Sequence, residues 1–311
     1  MTVLPNPDYL SHPKFKTTKE RIDRQTTIAA LQRFIPAFER TYLDWMDLDP
    51  PDLDARIGAG DEVLGALQQC GFALLSIDER SKAELCALCE PYISRLEAGL
   101  SAVQGKPKFR DMNLGLGRDE AGPMYDVVAA ILRDLNVFPA AQAYARRPLR
   151  IKKLFVQINN EQETAVRYGP IDGRGLPSLK TDYWHIDSDV WPCVKVIIYL
   201  SPVELDQGPL RYVTGSHRQP PAFETVVRKT NDTLKLPAEQ FLALPDEFRM
   251  HALFGPFLSG SEPQVEQLLE REQPVYGGGA DLILFDNNGV HRGGFVRSGT
   301  RRIVQCLFQA A

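Results

Sequence analysis

From Arg150 onward the apolar residues of this chain come in short runs rich in β-branched and aromatic side chains, cut by Gly/Pro turns. The runs are Ile151–Ile158, Tyr183–Asp187, Val194–Leu200, Leu210–Val213, Asp281–Phe285 and Ile303–Phe308. Side chains of this type suit a half-buried pleated surface. Repeated short strands without an alternating helical pattern point to a sandwich or barrel and away from βαβ units. One insertion with helical character, about 220–272, interrupts the series.

The first half has the opposite character. Thr17–Trp45 is amphipathic, with Ile22, Ile28, Leu31, Ile35 and Phe38 at roughly helical spacing and Pro36 as a kink or break. Asp49-Pro50-Pro51-Asp52 ends it. A short helix near Asp61–Gln69 precedes a buried strand, Gly71–Ile77, and Asp78 is placed to cap a helix running to about Ala102. Gly105–Gly122 reads as loop and Pro123–Arg146 as one further helix. With no Ser/Gly-rich linker between the halves, residues 1–311 are expected to form one domain, 1–149 a mostly helical scaffold and 150–311 a β core with the insertion at about 220–272.

Charge and composition remove several classes of function. The 36 Lys+Arg against 40 Asp+Glu leave a formal charge of −4, which disfavours nucleic acid or an acidic membrane surface as partner. The densest apolar run, Val194–Leu200, contains Lys195 and is too short to span a bilayer. Residues 1–20 carry no apolar stretch before a cleavage site, and the five cysteines have no framework spacing, so a cytoplasmic protein with reduced thiols is expected. Gly58-Ala59-Gly60 and Gly115-Leu116-Gly117 lack the spacing of a nucleotide loop. Cys86-Ala87-Leu88-Cys89 has no second pair and sits in a helical pattern.

Of five histidines, His185 stands apart because His185-Ile186-Asp187 lies in a predicted strand, where residues i and i+2 share a face. One imidazole and one carboxylate can then reach a single ion. Downstream, the strand Asp281–Phe285 leads to His291, and Arg301-Arg302 enter the final strand. That order is the one expected of a 2-His-1-carboxylate iron site, which occupies one face of Fe(II) and leaves positions for a bidentate 2-oxo acid and O2.

Around these residues the chain resembles the phytanoyl-CoA dioxygenase-like branch of the Fe(II)/2-oxoglutarate-dependent oxygenases. The resemblance spans roughly residues 150–309. It rests on Trp184-His185-Ile186-Asp187, Tyr199-Leu200-Ser201-Pro202-Val203, the stretch from Gly208 to Arg218, His291 and Arg301-Arg302. Thr214 stands where that family usually has proline, and Arg292-Gly293 follows the distal histidine where Gly-Ser is commoner. The resemblance implies a double-stranded β-helix, or jelly-roll (cupin-like), wrapped by the N-terminal helices. It also implies His185, Asp187 and His291 as Fe(II) ligands, and Fe(II), 2-oxoglutarate and O2 as cofactor and co-substrates. A small metabolite would be hydroxylated at an unactivated C–H bond, with release of succinate and CO2. Arg301 or Arg302 would hold the distal carboxylate; strand alternation lets only one face the pocket, and the closing strand fits best with Arg301 inward. Asp187 fills the position that related halogenases leave for chloride, which favours oxygen over halogen in the product. His217, in Gly-Ser-His, is taken as structural.

Two other classes remain open on the residues: a non-redox metal-dependent jelly-roll isomerase or lyase, and a catalytically silent binding module. Residues 146–180 hold eight basic side chains (Arg146, Arg147, Arg150, Lys152, Lys153, Arg167, Arg174, Lys180) against Glu161, Glu163 and Asp172. Both a solvated basic face and recognition of an anionic metabolite are consistent with that excess. Oligomeric state and substrate identity are not legible.

Overall fold

The computed structural model describes residues 61–104, 111–161, 187, 194–218, 270–277, 281–287, 289–294 and 296–311. The expected helix Thr17–Trp45, nearly all of the 220–272 insertion, and Tyr183–Asp187 apart from Asp187 lie outside these residues. Asp187 itself has no strand geometry.

Helix α1 (Asp61–Cys70) leads into β1 (Phe72–Ser76). Asp78 then caps α2 (Glu79–Ser101): its backbone is extended, and its carboxylate accepts from the Ser81 N–H at 2.9 Å. The stretch expected as loop contains a strand, β2 (Asn113–Leu116), paired with β3. The helix expected over Pro123–Arg146 is two, α3 (Gly122–Asp134) and α4 (Val137–Ala145). Asn136 separates them in the left-handed region at φ 56°, a conformation asparagine tolerates better than most residues.

The remaining strands are β3 (Leu149–Asn160), β4 (Val194–Tyr199), β5 (Leu210–Val213), β6 (Glu272–Val275), β7 (Asp281–Asp286), β8 (His291–Arg292) and β9 (Thr300–Ala310). β6, at the end of the expected insertion, is an additional strand, and β9 is longer than the Ile303–Phe308 run. They form a six-stranded sheet in the order β1-β7-β4-β9-β3-β2 and a three-stranded sheet in the order β6-β5-β8, antiparallel throughout. From β4 the chain crosses to β5 and β6, returns for β7, crosses to β8 and returns for β9. This winding is the jelly-roll, and the fold class is mainly β with flanking helices.

Alternation along the strands makes two cores from one sheet. Leu154, Val156, Val196, Ile198, Leu282, Leu284, Val304 and Cys306 face the helices and pack with Leu85, Ile93, Val128 and Leu132. Ile197, Tyr199, Ile283, Phe285 and Ile303 face the smaller sheet, where Leu210, Tyr212 and Val275 meet them. Two phenols tie the sheets together across the gap. The Tyr199 hydroxyl accepts from the Leu210 N–H at 2.8 Å and donates to the Val275 carbonyl at 3.1 Å, and the Tyr212 hydroxyl donates to the Asp286 carbonyl at 2.9 Å. No described helix is long and apolar enough to cross a membrane.

Candidate active site

Between the sheets lies a cavity of about 300 Å³, walled by Phe155 and Gln157 of β3, Lys195, Ile197 and Tyr199 of β4, Phe285 of β7, His291 of β8, and alternate residues of β9. Asp187 is the one acid among its described lining residues. On β9 the inward set is Arg301, Ile303, Gln305 and Leu307. Arg302 has the opposite parity: it points to the helical side and meets Glu97 of α2 at 2.7 Å. Pocket-facing and helix-facing positions therefore separate the two arginines.

Asp187 and His291 converge. The Asp187 Oδ2 and His291 Nε2 atoms are 3.9 Å apart. His291 Nδ1 lies 2.8 Å from the Gly289 carbonyl, which can only accept, so Nδ1 carries the proton in the neutral ring. Nε2 is left with a lone pair aimed at the carboxylate, the arrangement a metal-ligating imidazole has. The ring is fixed by edge contact with Phe285, at 5.2 Å between centroids, and by stacking on Tyr212 at 6.4 Å. Two ligand atoms each about 2.1 Å from one divalent ion stand about 3.0 Å apart when cis, as in a facial triad, and at most about 4.2 Å apart, so the pair at 3.9 Å lies within reach of one cation but about 1 Å wider than a facial pair. The Lys195 ammonium is in contact with Asp187 Oδ2, its side chain only 14% exposed.

His185 lies outside the described residues, so the geometry concerns two of the three expected ligands. Arg301, 6% exposed, donates to the Gly294 carbonyl at 3.0 Å and to Asn159 Oδ1 at 3.2 Å, both neutral acceptors. From Asn159 a polar line continues along the floor: Gln157 Nε2 donates to Asn159 Oδ1 at 2.8 Å, and Gln305 Nε2 to Gln157 Oε1 at 2.6 Å. Lys195 pairs in register with Leu307, whereas the guanidinium of Arg301, six residues earlier on β9, reaches the carbonyl of Gly294, three residues beyond His291.

Arg292, next to His291, has the outer parity of the small sheet. It is held bidentately by Glu272, which also takes Arg211 at 3.1 Å. His217 is away from the cavity, its Nε2 2.9 Å from the Gln68 carbonyl. Behind β7 the Tyr144 hydroxyl donates to Asp286 Oδ2 at 2.6 Å; burial first, and that carboxylate second, push the Tyr144 phenol far above its usual pKa.

The sequence reading missed Lys195, Asn159, Gln157 and Gln305. For Lys195 the available signal was a charge inside an apolar strand, in phase with Ile197 and Tyr199. The amides carried no such mark.

No protein-family profile matches the chain, and neither does any curated protein. Several solved structures resemble it at low identity. The non-heme alpha ketoglutarate dependent carbocyclase SnoK from nogalamycin biosynthesis aligns with a TM-score of 0.49 and 13% identity over 81% of this chain and 84% of its own. EctD from S. alaskensis with bound Fe aligns at 0.46 and 16%, over 85% and 82%. HygX from Streptomyces hygroscopicus with nickel and 2-oxoglutarate bound aligns at 0.45 and 15%, over 82% and 88%.

Proposed function

We propose that this chain is an Fe(II)- and 2-oxoglutarate-dependent dioxygenase that hydroxylates a C–H bond of a small metabolite. The observation that carries the reading is the convergence of the Asp187 carboxylate and a His291 Nε2 lone pair, 3.9 Å apart, at the wall of the cavity between the sheets. His185, two residues before Asp187, is the third ligand in this reading. When bound, iron with 2-oxoglutarate and O2 supplies the oxidising chemistry, releasing succinate and CO2.

The chain's own residues do the rest. Gly289, through its carbonyl, keeps the His291 proton on Nδ1 so that Nε2 stays available. Arg301 receives the far carboxylate of the oxo acid; its guanidinium is aimed in advance by Gly294 and Asn159, which lowers the ordering cost of a two-point contact. Ile197, Phe285, Ile303 and Leu307 supply apolar wall, which limits water and strengthens the electrostatic contacts within. Retention of a carboxylate at 187 leaves no vacant iron position for chloride, so the product carries oxygen rather than halogen.

The test is succinate formation from 2-oxoglutarate by the purified chain, with and without Fe(II), in chloride buffer with mass analysis of products. Iron-dependent succinate is the expected result, lost in His291→Ala and Asp187→Ala together with iron binding. Iron binding without any succinate would move the assignment to a non-redox metal enzyme. Absence of both would leave a binding module.

A further inference from the structure

Asp286 is a fully buried carboxylate that the dioxygenase reading leaves without a role. It ends the helix-facing row of β7, in phase with Leu282 and Leu284, where core packing alone calls for another aliphatic side chain. A carboxylate is costly there unless it is hydrogen-bonded, and the Tyr144 hydroxyl of α4 donates to its Oδ2 at 2.6 Å. What distinguishes the position is the turn that starts from it. The Asp286 N–H donates to the Gly71 carbonyl at 2.8 Å, and its carbonyl accepts from the Gly289 N–H at 3.1 Å and the Tyr212 hydroxyl at 2.9 Å. The next carbonyl, that of Asn287, accepts from the Asp187 N–H at 2.9 Å. The Gly289 carbonyl meets His291 Nδ1 at 2.8 Å, and the Val290 N–H donates to Ser216 Oγ at 2.7 Å. One short turn therefore grips both residues that converge in the cavity, Asp187 by its main chain and His291 by its ring.

We propose that Tyr144 and Asp286 are a positioning pair for the metal site. The hydroxyl on α4 fixes the Asp286 side chain, and that side chain fixes the root of the turn. The Asn287 and Gly289 carbonyls then set where Asp187 and His291 stand. The inference rests on the dioxygenase reading and extends it to residues on the helical side of the sheet. Asp187 and His291 come from separate segments, so a shift of the turn they share changes the spacing between Oδ2 and Nε2, 3.9 Å here. A leucine at 286 would continue the apolar row but offer the Tyr144 hydroxyl no acceptor. The root of the turn would then lose its tie to α4.

The test sets Tyr144→Phe beside Leu132→Ala, which loosens the same helix-facing core but has no hydrogen bond to the turn. The metal-free chain is read first. With the ring neutral in alkaline buffer, 15N shifts of His291 distinguish Nδ1–H from Nε2–H. Wild type is expected to carry Nδ1–H, Tyr144→Phe to shift toward Nε2–H, and Leu132→Ala to keep the wild-type ring. Mn(II) affinity by calorimetry and the Mn(II) electron paramagnetic resonance line shape are read next, on folded protein. Tyr144→Phe is expected to lose about fivefold or more in Mn(II) affinity with an altered line shape, and Asp286→Leu about tenfold or more, as when a metal ligand loses its support. Leu132→Ala is expected to change it less than about twofold. A smaller loss in Tyr144→Phe, or an unchanged His291 ring, would overturn the proposal and leave the pair a packing feature. An equal loss in Leu132→Ala would overturn it in favour of general loosening of the core. If Asp286→Leu does not fold, Tyr144→Phe decides alone. Failure of wild type to bind Mn(II) would refute the metal site itself, and the His291 ring would still decide whether the pair sets the turn.

Discussion

At the scale of single residues, parity on β9 turns two adjacent arginines to opposite faces. Arg301 is 6% exposed and lines the cavity, whereas Arg302 is paired with Glu97 at the helical surface. If Arg301 takes the oxo acid's carboxylate, Arg301→Leu removes a charge-assisted contact of about 1.5–3 kcal/mol, roughly a 10- to 100-fold rise in the 2-oxoglutarate dissociation constant. Arg302→Leu removes a partly exposed ion pair and is expected to change stability by less than about 1 kcal/mol and 2-oxoglutarate binding by less than about twofold. Calorimetric titration of the Mn(II)-loaded variants measures both. The reverse order would mean that the inward phase of β9 is shifted by one. Cys89 gives a control on packing. Burial pushes its thiol up to about 12, so alkylating reagents should leave it unmodified at neutral pH until the fold opens.

At the scale of elements, the β7–β8 connection orients His291. A Cβ on Gly289 would stand 1.8 Å from the Tyr212 hydroxyl oxygen, and that phenol is buried and tied to the Asp286 carbonyl, so it cannot give way. Gly289→Ala is therefore expected to displace the carbonyl that fixes the His291 tautomer and to weaken Mn(II) binding well before it unfolds the chain. Beside it, Glu272 joins β6 to β5 and β8 through Arg211 and Arg292, with 3% of its side chain exposed. Glu272→Ala removes the buried carboxylate that two guanidinium groups share and should cost about 3–5 kcal/mol in denaturant unfolding. The cap of α2 supplies a pH signature. Hydrogen bonds from the Ser81 side chain and then its N–H lower the Asp78 pKa below 3.8. A lowered folded-state pKa means the stabilisation is present above the unfolded value and lost as pH falls through the folded one. The melting-temperature difference between wild type and Asp78→Ala should thus be constant near neutrality and vanish in strong acid.

At the scale of the whole molecule, the six-stranded sheet separates a core packed against the helices from one that borders the cavity. Leu132, fully buried against the helical side, is remote in function from the cavity. Leu132→Ala should cost about 2–5 kcal/mol in stability, with 2-oxoglutarate affinity unchanged in whatever fraction stays folded. Ile303→Ala, on the inner face, should affect both. The two cores also explain how much was legible. Ile151–Ile158, Val194–Leu200 and Asp281–Phe285 were readable as strands because each is a short apolar run with β-branched and aromatic residues in it. β2 was not, because Asn113-Leu114-Gly115-Leu116 has little intrinsic strand character and becomes a strand by pairing with β3. The α3–α4 break was hidden because Leu135-Asn136 contains neither Gly nor Pro.

The sequence by itself determined the class of sheet, the period-two alternation within each strand, and the order of His185, Asp187, His291 and Arg301 along the chain. These are local properties, set by side-chain shape and by spacing of two or a few residues. Only the tertiary structure decided how strands distant in sequence align. The pairing of Lys195 with Leu307 and of Asn159 with Arg301 depends on register across β4, β9 and β3. A one-residue slip in any of them would turn its inward face outward. That register brings the Lys195 ammonium onto Asp187 and builds the Gln305–Gln157–Asn159 line toward Arg301. Each strand encodes its own alternation, but the phase between strands is set by the packing of both sheet faces together.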